Sequence, residues 1–266
     1  MANPVGSFIW YELMTSDIDA ATAFYGAVIG WRITPGGVTD TGVDYRMIGR
    51  DDGGHAGGAL ALSAAMIANG ARPGWLGYIH VSDVDAEVDK ILGEGGAVHM
   101  PAITMDGVGR MAMVADPQGV PFYLMTPQPP TDAPDAVSDV FTVDRPQTVR
   151  WNELVATDDL AAVDFYTRHF GWTQQGAMPM GELGDYRFIQ CDSVAIGAIM
   201  KKADFMPKAG WSFYIGVPDI DAAVAAVKSG GGQLLGEPME IPGGEFSAHA
   251  IDPQGAFFGL VGPRHA

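Results

Sequence analysis

The sequence predicts an α+β chain built from four β-α-β-β-β modules, arranged as two tandem halves. Three observations predict it. Residues 8–31, FIWYELMTSDIDAATAFYGAVIGW, align without a gap on residues 149–172, VRWNELVATDDLAAVDFYTRHFGW, with ten of 24 positions identical. Later blocks repeat in the same order: DYRMI at 44–48 with DYRFI at 185–189, GWLGYI at 74–79 with GWSFYI at 210–215, and ADPQGVPFYL at 115–124 with IDPQGAFFGL at 251–260. Between the halves, residues 126–147 hold five prolines and no apolar period, the composition of a linker. A period this long means two homologous domains rather than a short-repeat solenoid. The expected boundaries are 1–126 and 148–266, joined by a mobile Pro-rich linker at 127–147.

Each half can be read in order. Ile9, Tyr11 and Leu13 alternate with Trp10 and Glu12, a strand with two distinct faces. Ser16-Asp17 offers a helix N-cap, and Ile18, Ala21, Tyr25, Val28 and Ile29 form a helical stripe that stops at Gly30. Strands are expected at 43–49 and 57–63. A second strand, GWLGYIHV, leads to a helix capped by Asp83 and stopped by Gly93. Strands near 97–104, 109–115 and 121–125 close the half, with Asp116-Pro117-Gln118-Gly119 as the last turn.

Composition narrows the function. The chain has 266 residues, enough for two ordinary domains, and its 47% hydrophobic content supports packed cores. Fifteen basic residues against 32 acidic ones give a net charge of −17, which argues against nucleic acid or an anionic membrane as partner. A single cysteine, Cys191, excludes a disulfide framework. The opening MANPVGSFIWYEL lacks a basic leader region, and no apolar run reaches membrane length, so a cytoplasmic protein is expected.

The pattern W-x-E-L-x-x-x-D…FYxxxxGW in both halves, V-S-D-V-D-A at 81–86 with V-P-D-I-D-A at 217–222, and the two DPQG turns resemble the vicinal oxygen chelate superfamily of glyoxalases, bleomycin-resistance proteins and extradiol dioxygenases. The resemblance covers nearly the whole chain outside the linker. It implies two glyoxalase-like open β-barrel domains with helices outside, the fused equivalent of a dimer. A monomer (an internal pseudo-dimer) or a weak homodimer is therefore expected. The resemblance also implies a divalent ion held by His, Gln and Glu side chains. Anchored on the repeated motifs, those positions carry Trp10, Leu76 and Tyr123 in the first half and Trp151, Ser212 and Gly259 in the second. None is a ligand of the expected kind, so neither a metal nor a cofactor is expected.

Strand alternation then selects candidates, because residues two apart share a face. Glu12 and Glu153 should share a cavity face with Trp10 and Trp151, where a carboxylate serves as a general base, pairs with a cationic ligand or anchors a neighbouring loop. His80 shares a face with Leu76 and Tyr78. Its counterpart is Gly216, so it breaks the symmetry and suits acid–base work, against the plainer reading of a satisfied core histidine. His249, opposite Met113, breaks it again. Tyr78, Tyr214 and Tyr123 offer faces for stacking on a flat ligand, or simply fill the core. Arg46 either binds a ligand carboxylate or pairs with a neighbouring acid. His55 reads as a loop residue, and His99, His169 and His265 as peripheral.

The expected function is that of a glyoxalase-like protein holding a small, partly aromatic molecule, with metal-independent lyase or isomerase chemistry by Glu12, Glu153 or His80. A bleomycin-resistance-like binding protein without catalysis is the alternative. A metalloenzyme with relocated ligands is the third.

Overall fold

The computed structural model describes residues 3–38, 42–131, 133–204, 206 and 208–265. The first repeat forms β1 (Phe8–Thr15), α1 (Ile18–Ile29), β2 (Arg32–Val38), β3 (Asp44–Gly49), β4 (His55–Ala61), a short α2 (Ala64–Ala68), β5 (Gly74–His80), α3 (Val84–Gly93), β6 (Ala97–Met105), β7 (Gly109–Ala115) and β8 (Pro121–Pro127). The second repeat forms β9 (Val149–Ala156), α4 (Asp159–Phe170), β10 (Thr173–Pro179), β11 (Asp185–Cys191), β12 (Val194–Lys201), β13 (Gly210–Gly216), α5 (Ile220–Ser229), β14 (Gln233–Leu234), β15 (Met239–Glu240), β16 (Phe246–Ile251) and β17 (Phe257–Gly262).

The strands form two mixed sheets, one of eight strands and one of nine. The first contains the runs β2-β3-β4-β1 and β5-β8-β7-β6; the second contains β10-β11-β12-β9 and β13-β17-β16-β14, with β15 on β16. Within each run one pair is parallel, such as β1 with β4 and β5 with β8, and the rest are antiparallel. Strand β2 is the strand of the β-α-β-β-β module to which the sequence reading gives no range, and it runs through Pro35-Gly36-Gly37. Its antiparallel ladder with β3 absorbs the irregularity as a register shift between Pro35 and Gly37.

Packing divides the chain into two compact units, and neither is a contiguous half. The first unit comprises Met1–Ile9, Leu76–Ser138 and Asn152–Trp211; the second comprises Trp10–Trp75, Asp139–Trp151 and Ser212–Ala266. Each unit thus takes material from both repeats. The motifs that repeat in sequence are the residues that weld these parts. In the second unit the indole N–H of Trp75 donates to Tyr25 Oη at 3.0 Å, and Tyr25 Oη donates to Asp252 Oδ2 at 3.1 Å. In the first unit Trp211 donates to Tyr166 Oη at 3.2 Å, and Tyr166 to Asp116 Oδ2 at 3.1 Å. Burial raises the pKa of both tyrosines and both aspartates. Each aspartate also holds its own DPQG turn: Oδ1 of Asp116 accepts from Gln118 N and Val120 N, and Oδ1 of Asp252 from Gln254 N and Ala256 N. A buried carboxylate accepting three hydrogen bonds is a fixed point, since losing an acceptor leaves desolvated donors behind.

The four long helices start as the sequence predicts, with Asp17, Asp83, Asp158 and Asp219 accepting from first-turn amides. Gly30 and Gly171 end α1 and α4 in the left-handed conformation. Trp31 and Trp172 then donate to the carbonyls of Gln147 and Gly6. The linker is fastened at its end rather than mobile there. Ser138 bonds Asn3 and Ile9 in the first unit. In the second, the guanidinium of Arg50, 2% exposed, holds Asp52 and Asp139, and Gln147 bonds Gly30 and Asp51. Among the described residues no helix is long and apolar enough to cross a membrane.

Candidate functional site

On β1, Trp10 and Glu12 lie two apart, and β3 brings Tyr45 to them. Trp10 Nε1–H donates to Tyr45 Oη at 2.9 Å, and Tyr45 is hydrogen-bonded to the Glu12 carboxylate. Burial raises the pKa of Tyr45, and the charge of Glu12 raises it further, so Tyr45 is a phenol and donates. Glu12 is 2% exposed. Opposite it in the parallel ladder stands Gly58, and a Cβ there would collide with the Tyr45 hydroxyl. In this repeat the tyrosine therefore lies directly against the glycine.

The second repeat builds the same pair. Tyr186 on β11 donates to Glu153 Oε2 at 2.7 Å, and Glu153 is buried opposite Ala198. Sequence reasoning singled out both glutamates but neither tyrosine. The available signal was the repeated D-Y-R, which drew notice to the arginine instead. Arg46 pairs with Asp19 at 2.7 Å and Asp44 at 3.0 Å and donates to Thr22, pinning β3 to α1. Arg187 pairs with Asp159 and Asp185 in the same way. Arg46 therefore sits in an ion-pair cluster.

Tyr78 and Tyr123 are ladder partners on β5 and β8, and their rings stack with centroids 4.1 Å apart and planes 9° apart. Met113 on β7 lies opposite Tyr123. The matching positions of the second repeat are Tyr214, Gly259 and His249. There the Tyr214 hydroxyl is hydrogen-bonded to His249 Nε2, and Phe257 lies 5.2 Å from the imidazole, centroid to centroid. Trp151 is half-buried on β9, as Trp10 is on β1. His80 is half-buried, with Nδ1 3.1 Å from the carbonyl oxygen of Pro4, on the segment that leads into β1. His55 is exposed at the start of β4, 6.4 Å from Trp10 between ring centroids.

His169 is not peripheral. Its side chain is 2% exposed, with Nδ1 2.5 Å from Glu87 Oε1. Its partner is on another repeat, which no local pattern reveals.

The metal implied by the resemblance fails a test of donor chemistry. Leu76 and Gly259 offer no side-chain donor atom, Trp10 and Trp151 offer N–H groups that donate rather than ligate, and Ser212 and Tyr123 offer hydroxyls in place of the imidazole, amide and carboxylate donors implied. Among the described residues no group of three or more His, Cys, Asp and Glu side chains is placed to hold an ion.

One family model, described as Glyoxalase/Bleomycin resistance protein/Dioxygenase superfamily, matches the chain twice, at residues 7–124 and 148–260. The protein called "Putative glyoxylase CFP32" from Mycobacterium tuberculosis is 33% identical over 254 residues, covering 96% of this chain and 94% of that one. The "Anthracycline biosynthesis protein DauV" of a Streptomyces species is 28% identical, covering 98% and 94%. Among solved structures, the Mn(II)-bound glyoxalase from Novosphingobium aromaticivorans superposes with a TM-score of 0.64 at 17% identity, covering 98% of this chain and 83% of that one, a likeness of fold alone. With the family model matched over both repeats and a relative aligned almost end to end, the chain belongs to the glyoxalase/bleomycin resistance protein/dioxygenase superfamily.

Proposed function

We propose that the chain is a glyoxalase-like protein that takes a small, partly aromatic carbonyl compound and moves a proton beside the carbonyl, a lyase or isomerase reaction, without the family's metal. The observation that carries this reading is the replacement set. The positions where the family resemblance implies ligands carry Trp10, Leu76, Tyr123, Trp151, Ser212 and Gly259, while Glu–Tyr pairs stand close by in sequence on β1 with β3 and β9 with β11. Indole and phenol rings suit a flat ligand, and a carboxylate gated by a phenol suits proton movement. The proposed setting is cytoplasmic, with a small molecule as partner and no cofactor.

A second reading has its own support. Identical Glu–Tyr pairs in both repeats suit a scaffold, and a net charge of −17 suits a cationic aromatic ligand held without chemistry. The experiment is native mass spectrometry with elemental analysis on freshly purified protein. An organic adduct without stoichiometric metal is the expected result. About one manganese, iron or zinc per chain overturns the metal-independent reading.

A further inference from the structure

The two repeats diverge most sharply at one spot on the sheet. In the first unit, Tyr78, Tyr123 and Met113 occupy neighbouring ladder positions, and the two phenol rings stack. None of these groups is an acceptor for a proton near neutral pH. In the second unit the same three positions are Tyr214, Gly259 and His249. Two changes have occurred together, ring to glycine and thioether to imidazole.

They are physically coupled. A Cβ on residue 259 would come within 2.6 Å of Cγ and Cδ1 of Tyr214, so the tyrosine ring lies directly over Gly259. Lying there, its hydroxyl meets His249 Nε2. A tyrosine at 259, as in the first repeat, would displace the ring. The glycine therefore makes the Tyr–His pair possible, and the histidine gives the relocated hydroxyl a proton acceptor. Phe257 packs on the imidazole, and His249 remains half-buried rather than sealed.

We infer that Tyr214 and His249 form a proton-transfer pair that acts on a benzyl ketone bound at this sheet face, a role with no counterpart in the first repeat. The inference deepens the proposed function and rests on it. Tyr214 Oη removes the proton from the carbon beside the carbonyl as its own proton passes to His249 Nε2. The C–H electron pair moves into the C–C bond, and the carbonyl π pair moves onto oxygen, giving an enolate. His249 hands its proton back to Tyr214 as Tyr214 reprotonates the enolate, at carbon to restore the ketone or at oxygen to give its enol isomer. No oxidant or reductant enters. Alone, a phenol near pKa 10 is a poor base at neutral pH in its protonated form; handing its proton to imidazole removes that obstacle.

The test uses the full chain and phenylacetone, a small benzyl ketone whose benzylic C–H adjoins the carbonyl. Binding is measured by ligand-observed NMR, and benzylic exchange in D2O by loss of the proton signal. Tyr214→Phe and His249→Met, the latter giving the first repeat's residue, should keep the dissociation constant within about threefold. Each should cut exchange by about 10²–10⁴-fold, with the double variant no slower than either single. Exchange that survives either substitution overturns the inference and leaves the proposed function standing. Binding without exchange by the unaltered protein overturns the inference together with the proton chemistry of the proposed function, and favours the binding reading. Absence of binding overturns both. Should one variant fail to fold, the other decides.

Discussion

The helix pair of the first unit and that of the second are the same construction with different fillings. In the second unit α1 packs on α5 through Val28, Ala223 and a Phe24 ring laid against Gly230 and Gly232, where a Cβ would come within 2.9 Å of it. In the first unit the positions of Val28, Ala223 and Gly230 carry His169, Glu87 and Glu94. His169 and Glu87 are 2% and 7% exposed at the side chain, with Nδ1 2.5 Å from Glu87 Oε1. Nε2 lies 3.2 Å from Glu94 Oε2, an ion-pair distance but angled away from a hydrogen bond. Lys90 adds to Glu87, and Arg168 to Glu94. Close packing needs no particular pH, whereas an imidazole between carboxylates does. What the two units share is frame; where they differ, one has acquired chemistry that titrates.

The largest effect should come from the frame. Asp116→Ala strands two backbone N–H groups and the Tyr166 hydroxyl, and should cost about 4 kcal/mol in urea unfolding. Asp252→Ala strands the same set in the second unit and should cost the same to within about 1 kcal/mol. A wide gap between the two would break the claim of a common frame.

Next comes the filling. His169→Val installs the second unit's residue but leaves the Glu87 carboxylate buried without its imidazole, and should cost about 3 kcal/mol at pH 6. Adding Glu87→Ala completes the conversion and should bring stability back to within about 1 kcal/mol of the original, as replacing a whole buried pair often does. A double variant as weak as the single one would mean that the helices depend on the charges themselves.

The pH dependence sharpens the same contrast. For His169, burial favours the neutral ring, but the hydrogen bond to Glu87 and the nearby Glu94 outweigh it and raise the pKa. A raised folded-state pKa gives stability that is complete below the unfolded value near 6.5 and is lost as pH rises through the folded value. Burial would raise the Glu87 pKa, yet His169 and Lys90 hold it below the usual range, so its share is lost as pH falls through that lowered value. Stability should therefore decline on the alkaline side, and the His169→Val/Glu87→Ala protein should lack that decline. Urea midpoints from pH 6 to 9 check it. Buried Asp116 and Asp252 shift in the same direction in both units and leave the contrast untouched.

The smallest effect separates the two DPQG turns. Gln118 exchanges two hydrogen bonds with the Asp158 backbone, each 2.8 Å, so Gln118→Ala should cost about 1 kcal/mol. Gln254 has a buried side-chain oxygen with no hydrogen-bond partner among the described residues, and Gln254→Ala should fall within about 0.5 kcal/mol of neutral.

Much of this was legible in the sequence, because a repeat reports positions under the same constraint. Tyr25, Tyr166, Asp116 and Asp252 all lie in repeated motifs, and their pairing explains why the motifs persist. What escaped were contacts made between repeats and side chains of double meaning. His169 sits in an ordinary helix end, and its partner Glu87 is 82 positions away. Tyr45 and Tyr186 look like strand-filling aromatics until a carboxylate is seen beside each. The strand β2 hides behind Pro35-Gly36-Gly37. His80 and His249 are both visible as breaks in symmetry, but strand alternation alone does not show what each meets: His80 meets the backbone carbonyl of Pro4, and His249 meets a phenol.

The central proposal is that the unmatched Tyr214–His249 pair of the second unit carries proton chemistry that the first unit lacks. Amide hydrogen exchange with and without saturating phenylacetone tests it most directly. The account predicts new protection concentrated in β13, β16 and β17, around Tyr214, His249 and Gly259. Protection confined to β5, β7 and β8, around the stacked Tyr78 and Tyr123, would contradict it.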